Sequence, residues 1–241
     1  MKGIILAGGA GTRLHPLTKV TSKQLLPVYN KPMIFYPLET LLRGGIKDIL
    51  IIIAPDRAGD FLKLLGSGRE FGARFTYEIQ DKPEGLAQAF IIGEKFIGKD
   101  NVALILGDNI FEDDFSKEIK AFKKGGHIFA KEVSDPERSG VVRFDKKGKA
   151  LEIVEKPKEF ISPYAIPGFY LYDHRVVQAA KQVKPSGRGE LEITDLHNWY
   201  LKKNELTVSI VKGKWIDTGT FDSLMEANLW AQKKSKLKNQ N

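Results

Sequence analysis

The unbroken run Ile49-Leu50-Ile51-Ile52-Ile53 constrains this chain more than any other feature. A strand with no polar face cannot lie against water on either side. Residues 48–54 therefore predict a buried strand covered above and below. Residues 3–7 and 101–106 carry shorter runs of the same kind. Between them lie helical patterns, at 85–96 and at 32–42, where Gly44-Gly45 supplies a stop. Strands alternating with helices predict a doubly wound α/β sheet. The second half reads as mixed, with strands at 141–144, 151–155 and 169–172 and helices at 174–183, 191–202 and 220–231. The expected architecture is α/β: a single Rossmann-like domain over residues 1–232, its mixed sheet flanked by helices. A lysine-rich tail at 233–241 should fray. A length of 241 residues suits one such domain.

Composition removes several classes of function. With no cysteine there are no disulfides and no thiolate metal sites. The N-terminal apolar run is broken at once by Gly8-Gly9, too early for a signal peptide, and no stretch approaches the roughly 20 apolar residues of a membrane helix. The expectation is a soluble cytoplasmic protein with no membrane partner. A net charge of +8 suits either nucleic acid or small anionic substrates. The lysines are spread along the chain, and the only dense cluster is Lys233, Lys234, Lys236 and Lys238. No basic helix interleaves aromatics and no zinc-finger spacing occurs, so nucleic acid is not an expected partner. His15, His127, His174 and His197 lack metal-ligand spacing and read as surface or packing residues.

The first segment that carries chemistry is Leu6-Ala7-Gly8-Gly9-Ala10-Gly11-Thr12-Arg13-Leu14, directly after a strand. Its glycines let backbone N–H groups approach phosphates, and Arg13 adds a permanently charged fork. No Gly-Lys-Ser/Thr follows, and Leu14 stands where a dinucleotide fingerprint needs its third glycine. A plain glycine turn would account for the segment equally well. Ser22-Lys23-Gln24-Leu25-Leu26-Pro27-Val28 follows, and beside a phosphate loop Lys23 is suited to stabilise developing negative charge. In Leu106-Gly107-Asp108-Asn109-Ile110-Phe111, Asp108 falls at the carboxyl end of a buried strand, where α/β sheets bind ligands; it suits Mg²⁺, or a helix N-cap. Asp217, in Trp215-Ile216-Asp217-Thr218-Gly219-Thr220, could supply a second carboxylate. Gln80, in Gln80-Asp81-Lys82-Pro83-Glu84-Gly85-Leu86-Ala87-Gln88-Ala89, ends a predicted strand and could meet a base edge; Gly85 opens the next helix. An ordinary strand–loop–helix connection explains that segment as well. Glu155 can accept from sugar hydroxyls, Arg188 or Lys156 can hold a sugar phosphate, and Tyr170 is either a pocket or a core tyrosine.

Taken in order, these motifs resemble the glucose-1-phosphate thymidylyltransferases, from residue 1 to about residue 232. Gly-Leu-Ala-Gln-Ala, Leu-Gly-Asp-Asn-Ile-Phe, Arg-Gly-Glu-Leu-Glu-Ile-Thr-Asp and Trp-Ile-Asp-Thr-Gly-Thr look like that branch rather than the uridylyl or adenylyl branches. The resemblance implies a nucleotide-diphospho-sugar transferase fold, Mg²⁺ as cofactor, and dTTP and glucose 1-phosphate as partners. It implies formation of dTDP-glucose and pyrophosphate, the first step toward dTDP-sugars such as dTDP-rhamnose. Carried over, Gly8, Gly11, Thr12 and Arg13 would hold the triphosphate, and Gln80 and Gly85 would read thymine. Lys23 and Lys156 would contact phosphates; Asn109, Gly140, Glu155 and Tyr170 would hold the glucose part; Asp108 and Asp217 would hold the metal. Leu6, Ala7, Gln24 and Arg188 complete the substrate-binding set, and Arg13, Lys23, Asp108 and Asp217 the catalytic one. Ser139 replaces a common aromatic and Pro167 a common small hydroxyl residue, both beside the sugar side. Many relatives continue into a helical extension that helps form a regulatory site and subunit contacts. The shorter chain here leads us to expect weak feedback and leaves homo-oligomer formation open.

Overall fold

The computed structural model describes residues 1–238. Its main sheet has ten strands, nine of them in one row. From one edge these are Ala150–Glu155, Gly140–Phe144, Tyr164–Ala165, Gly126–Glu132, Phe169–Tyr172, Val102–Leu106, Lys2–Ala7, Asp48–Ile53 and Arg74–Ile79. Leu206–Ile210 pairs with Gly126–Glu132 off this row. Lys2–Ala7, Asp48–Ile53, Arg74–Ile79 and Val102–Leu106 run parallel to one another. Phe169–Tyr172 is antiparallel to Val102–Leu106, and the sheet beyond it is mixed.

The isoleucine run is buried throughout, and its alternation divides it between two cores. Ile49, Ile51 and Ile53 pack with Ile5, Leu38, Leu41, Phe61 and Phe169. Leu50 and Ile52 pack with Ile4, Leu6, Phe90, Val176 and Leu196 on the opposite face. A third, smaller cluster joins Leu14, Leu26, Val28 and Met33 to Ile216, Ala227 and Ala231. It ties the segments after the glycine loop to the last helix.

Several boundaries differ from the sequence reading. The first long helix is Phe35–Arg43, because Lys31–Pro32 pairs with Pro27–Val28 as a small antiparallel ribbon. Gly45, at φ 83°, closes it as expected, with its N–H on the Leu42 carbonyl. Residues 85–96 are not one helix opened by Gly85. They form Gln88–Ile92 and Glu94–Ile97, separated at Gly93. Gly93 lies against Ile4 and Leu50, and a Cβ there would stand 3.1 and 3.2 Å from their methyl carbons and 3.0 Å from the Ala89 carbonyl oxygen. The helices expected at 174–183 and 191–202 are Val176–Ala180 and Ile193–Lys202. The last helix is Phe221–Lys238, so it runs through residues 233–238 of the expected tail, and Lys234 pairs with Glu112. The rest of the expected tail, 239–241, lies outside the described residues. Strand Gly126–Glu132 was not visible in the pattern because His127 and Lys131 interrupt it, yet Ile128, Phe129 and Ala130 are buried.

The packing at Gly93 makes a signed prediction. Glycine to alanine ordinarily strengthens a helix by up to about 1 kcal/mol. Here the added methyl group meets a carbonyl and two core side chains, and overpacking costs about 1–3 kcal/mol. Gly93→Ala should lower the urea midpoint. A variant as stable as the parent would show that the two faces can part to admit the methyl.

Candidate active site

The parallel strands deliver their following loops to one edge of the sheet. Leu6 is level with Leu106, and the Gly107 N–H donates to the Leu6 carbonyl at 2.9 Å. This register sets the glycine loop beside Asp108. Within the loop, Gly11 takes φ 64°, a conformation that favours glycine, and Thr18 Oγ1 donates to its carbonyl at 2.7 Å. Arg13 follows on a short 3-10 turn and reaches Gly219, where a Cβ would come within 2.5 Å of its guanidinium.

Lys23 sits on the next 3-10 turn, buried, with its ammonium on Asp108 Oδ2. Asn109 Nδ2 donates to Asp108 Oδ1 at 3.0 Å. Burial alone would raise the Asp108 carboxyl. The Lys23 charge and the hydrogen bonds from Lys23 and Asn109 outweigh it and hold Asp108 below the usual carboxylate range. Asp217 arrives on Trp215–Asp217, which pairs antiparallel with Asn109–Phe111 and places Asp217 opposite Asn109. Thr218 locks that junction, donating from its N–H at 3.0 Å and its hydroxyl at 2.6 Å to the Asp108 carbonyl. The Asp217 carboxyl keeps access to cleft solvent, but the surrounding protein and the Asp108 charge push it up to about 6 against Lys23 and Arg13. Two acidic groups and two cations thus share one position.

Two cavities adjoin at Asp108. One, of about 220 Å³, is lined by Leu6, Lys23, Gln24, Gln80, Gly85 and Leu86, among others. Gln80 is buried with its amide against Gly8, where a Cβ would overlap its Oε1. Gly85, at φ 117°, lies on the Leu191 backbone, so close that a Cβ would come within 2.5 Å of its N and O. Leu191 also exchanges main-chain bonds with Glu84 and Ala87. Gly85 therefore admits a neighbouring irregular segment, the one that leads into helix Ile193–Lys202, instead of opening a helix.

The second cavity, of about 540 Å³, is lined by residues that include Arg13, Asn109, Gly140, Glu155, Lys156 and Tyr170. Tyr170 is both a core and a cavity residue, and burial first, then the Glu155 and Asp108 charges, push its hydroxyl well above its ordinary value. Asn109 Oδ1 is held by the Gly168 N–H at 3.0 Å and the Trp215 indole at 2.7 Å. Arg188 is already engaged, with Nη2 at 2.8 Å from Glu192 and 3.2 Å from Glu155. A phosphate there would compete with carboxylates. Ala7 ends its strand, Gly8 and Gly11 lie in the loop after it and Thr12 opens the 3-10 turn; of this stretch Gly9 lines the smaller cavity and Arg13 the larger, while these four line neither. Sequence reasoning missed Thr194, Trp215, Glu190 and Glu192, which also line this second cavity. All four stood inside motifs whose pattern was visible, but only the fold turns their side chains inward. His197 is fully buried, as a packing residue, and also borders the cavity.

A glycine loop and a buried Lys–Asp pair on the carboxyl edge of a parallel sheet, opening on two polar cavities, suit a nucleotide-handling transferase. The nucleotidyl transferase family model matches residues 2–234. Glucose-1-phosphate thymidylyltransferase of Neisseria meningitidis is 53% identical over 99% of this chain and 85% of its own. That of Mycolicibacterium smegmatis is 53% identical over 95% and 81%. A Bacillus anthracis crystal structure assigned to the same enzyme, in complex with a sucrose, superposes with a TM-score of 0.91 at 51% identity, covering 96% of this chain and 95% of that one. A UDP-glucose pyrophosphorylase complexed with UDP-glucose gives 0.85 at 26% identity, over 97% of this chain and 98% of that one. The chain belongs to the nucleotidyl transferase family, on its glucose-1-phosphate thymidylyltransferase branch.

Glu155 yields a pH prediction. Burial and the Glu192 charge raise its carboxyl despite Arg188 and Lys156. A carboxyl raised in the folded state costs stability when ionised, and the cost disappears below the unfolded value of 4.5. Glu155→Gln should therefore raise the melting temperature at pH 7.5, with the gain shrinking toward pH 4. A loss of stability at pH 7.5 would show that the Arg188 pair dominates instead.

Proposed function

We infer that the protein transfers a thymidylyl group from dTTP to α-D-glucose 1-phosphate, releasing pyrophosphate. The observation that carries this reading is the meeting of the two cavities at Asp108, with Lys23, Arg13 and Asp217 around it. The smaller cavity takes the base and the larger takes the sugar. A phosphate oxygen of glucose 1-phosphate attacks the α-phosphorus of dTTP in line, the new P–O bond forms, and the bond to the β-phosphate breaks. The nucleophile is already ionised, so no general base is required. Lys23 and Arg13 neutralise charge on the transferring group, and the loop from Gly8 to Thr12 positions the triphosphate. Because one phosphoanhydride replaces another, the reaction is reversible.

Asp108 and Asp217 are the groups that would hold Mg²⁺. They offer oxygen ligands only, and each raises the energy of the other's negative charge, which a divalent cation relieves. Among the described residues no cluster of three or more His, Cys, Asp or Glu offers a full protein cage, as befits an ion completed by water and substrate phosphates. When bound, the ion would supply charge neutralisation and orientation of the phosphates. No helix of the described residues is long and apolar enough to cross a membrane. We place the reaction in the cytoplasm, supplying dTDP-glucose for dTDP-sugars, dTDP-rhamnose among them.

Asp217→Asn should raise the melting temperature at neutral pH, because it removes a charge that costs stability when ionised, and lose about a hundredfold or more in turnover at limiting Mg²⁺. Wild-type turnover at limiting Mg²⁺ would exclude it as a ligand. In a pyrophosphate-release assay dTTP should be the best triphosphate. Uracil shares the imide edge, so UTP should trail by the roughly 10–200-fold that a methyl-sized difference supports. CTP and GTP should be poor. Equal rates with all four would remove Gln80 from base reading.

A further inference from the structure

Gln80 presents an amide, and an amide has two ends of opposite polarity. Which end meets a base decides which base fits, and a free glutamine side chain can turn over. We propose that Gln88 is the positioning residue that fixes the direction of the Gln80 amide, and through it the preference for an imide edge over cytosine. The proposal rests on the reading of Gln80 as the base-contacting residue.

The direction is set by a chain of groups whose roles cannot be exchanged. It begins with the backbone N–H of Glu84, which can only donate; it donates to Gln88 Oε1 at 3.1 Å. The Glu84 carboxylate can only accept, and it accepts from Gln88 Nε2 at 2.8 Å. Both contacts demand the same orientation of the Gln88 amide. Its Oε1 has a second lone pair, and this accepts from Gln80 Nε2 at 2.6 Å. Gln80 must therefore turn its NH₂ toward Gln88, and its Oε1 lies over Gly8 on the other side. Turning Gln80 over would set two carbonyl oxygens against each other.

After this bond Gln80 keeps one N–H and its Oε1 for a ligand. Thymine shows O4 as acceptor and N3–H as donor. Cytosine shows an amino donor and N3 as acceptor, the reverse order. An amide held in one direction pairs with the first and opposes the second. A buried site built to hydrogen-bond one pattern rejects the mismatched one strongly, because its own groups are left unpaired. Gln88 stands at the start of helix Gln88–Ile92, whose following residues Ala89 and Phe90 are fully buried, so its Cα is fixed by the core. Neither Gln88 nor Glu84 lines the smaller cavity, so Gln88 acts through Gln80.

The test compares dTTP with dCTP, which share the sugar and the triphosphate and differ in the base. Gln88→Met keeps the length of the side chain and removes its polar atoms. It should raise KM for dTTP about tenfold and lower the dTTP/dCTP selectivity by about tenfold or more. KM for glucose 1-phosphate should stay within about twofold, which a general structural loss would not spare. The exchange variant Glu84→Gln with Gln88→Glu keeps an acceptor facing both the backbone N–H and Gln80, and a donor at position 84 facing the new carboxylate. It should retain the parental selectivity, and it carries the test if Gln88→Met does not fold. Unchanged selectivity in folded Gln88→Met, or lost selectivity in the folded exchange variant, overturns the proposal. Gln80→Leu separates the two levels. If Gln80→Leu abolishes selectivity and Gln88→Met leaves it intact, Gln80 reads the base without help. If Gln80→Leu leaves selectivity intact, the reading of Gln80 fails and this inference fails with it.

Discussion

The register between Lys2–Ala7 and Val102–Leu106 is the constraint on which the rest of the cleft depends. Leu6 opposite Leu106 places the end of one strand beside the end of the other, so the glycine loop and Asp108 emerge side by side. A slip by one residue would turn Ile4 and Leu6 from one core to the other and carry Asp108 away from the loop. The slip is prevented from both faces, because Ile5 and Ile105 belong to one buried cluster and Ile4 and Leu104 to the other. Two separately packed cores thus hold one backbone alignment, and that alignment aims the charged groups.

Those charged groups are held at some cost. Asp108 is kept ionised by Lys23 and Asn109, while Asp217 is pushed toward its neutral form by burial and the Asp108 charge. The larger cavity repeats the theme: Glu155, Glu190 and Glu192 surround the single guanidinium of Arg188. Such concentrations of charge lower stability unless something compensates. Here the compensation comes from fully buried isoleucines and aromatics behind the cleft, among them Phe129 and Phe169, which stack at 5.0 Å.

The sequence showed the parallel half of the fold well, since an apolar run such as Ile49–Ile53 has few other uses. It showed the glycine loop, Lys23, Asp108 and Asp217 as separate points, and the structure brings them into one cleft. The antiparallel half was harder to read. Strand Gly126–Glu132 carries polar residues within it, and Leu206–Ile210 is only partly buried. Gly85 misled because it looks like a local helix start, and the break at Gly93 within 85–96 went unread; each glycine has another segment pressed on it, Leu191 in one case and the core in the other. Contacts between distant segments leave little trace in local pattern. The same holds for Gln88, which reads as one more helical polar residue until its partners are in place.

The two cavities share Leu86, Leu106, Asp108 and Glu190 but otherwise draw mainly on different parts of the chain. Leu6, Lys23, Gln24, Gln80 and Gly85 come from the first 85 residues, while Gly140, Glu155, Tyr170, Thr194 and Trp215 come from the last hundred or so. Asp108 stands where the two contributions meet. The division has a consequence for how such a protein can diversify. Substitutions that reshape the later pocket, such as one at Ser139, fall outside the strands that align the earlier one. The later pocket can therefore drift among descendants of one ancestor while the earlier one is inherited intact.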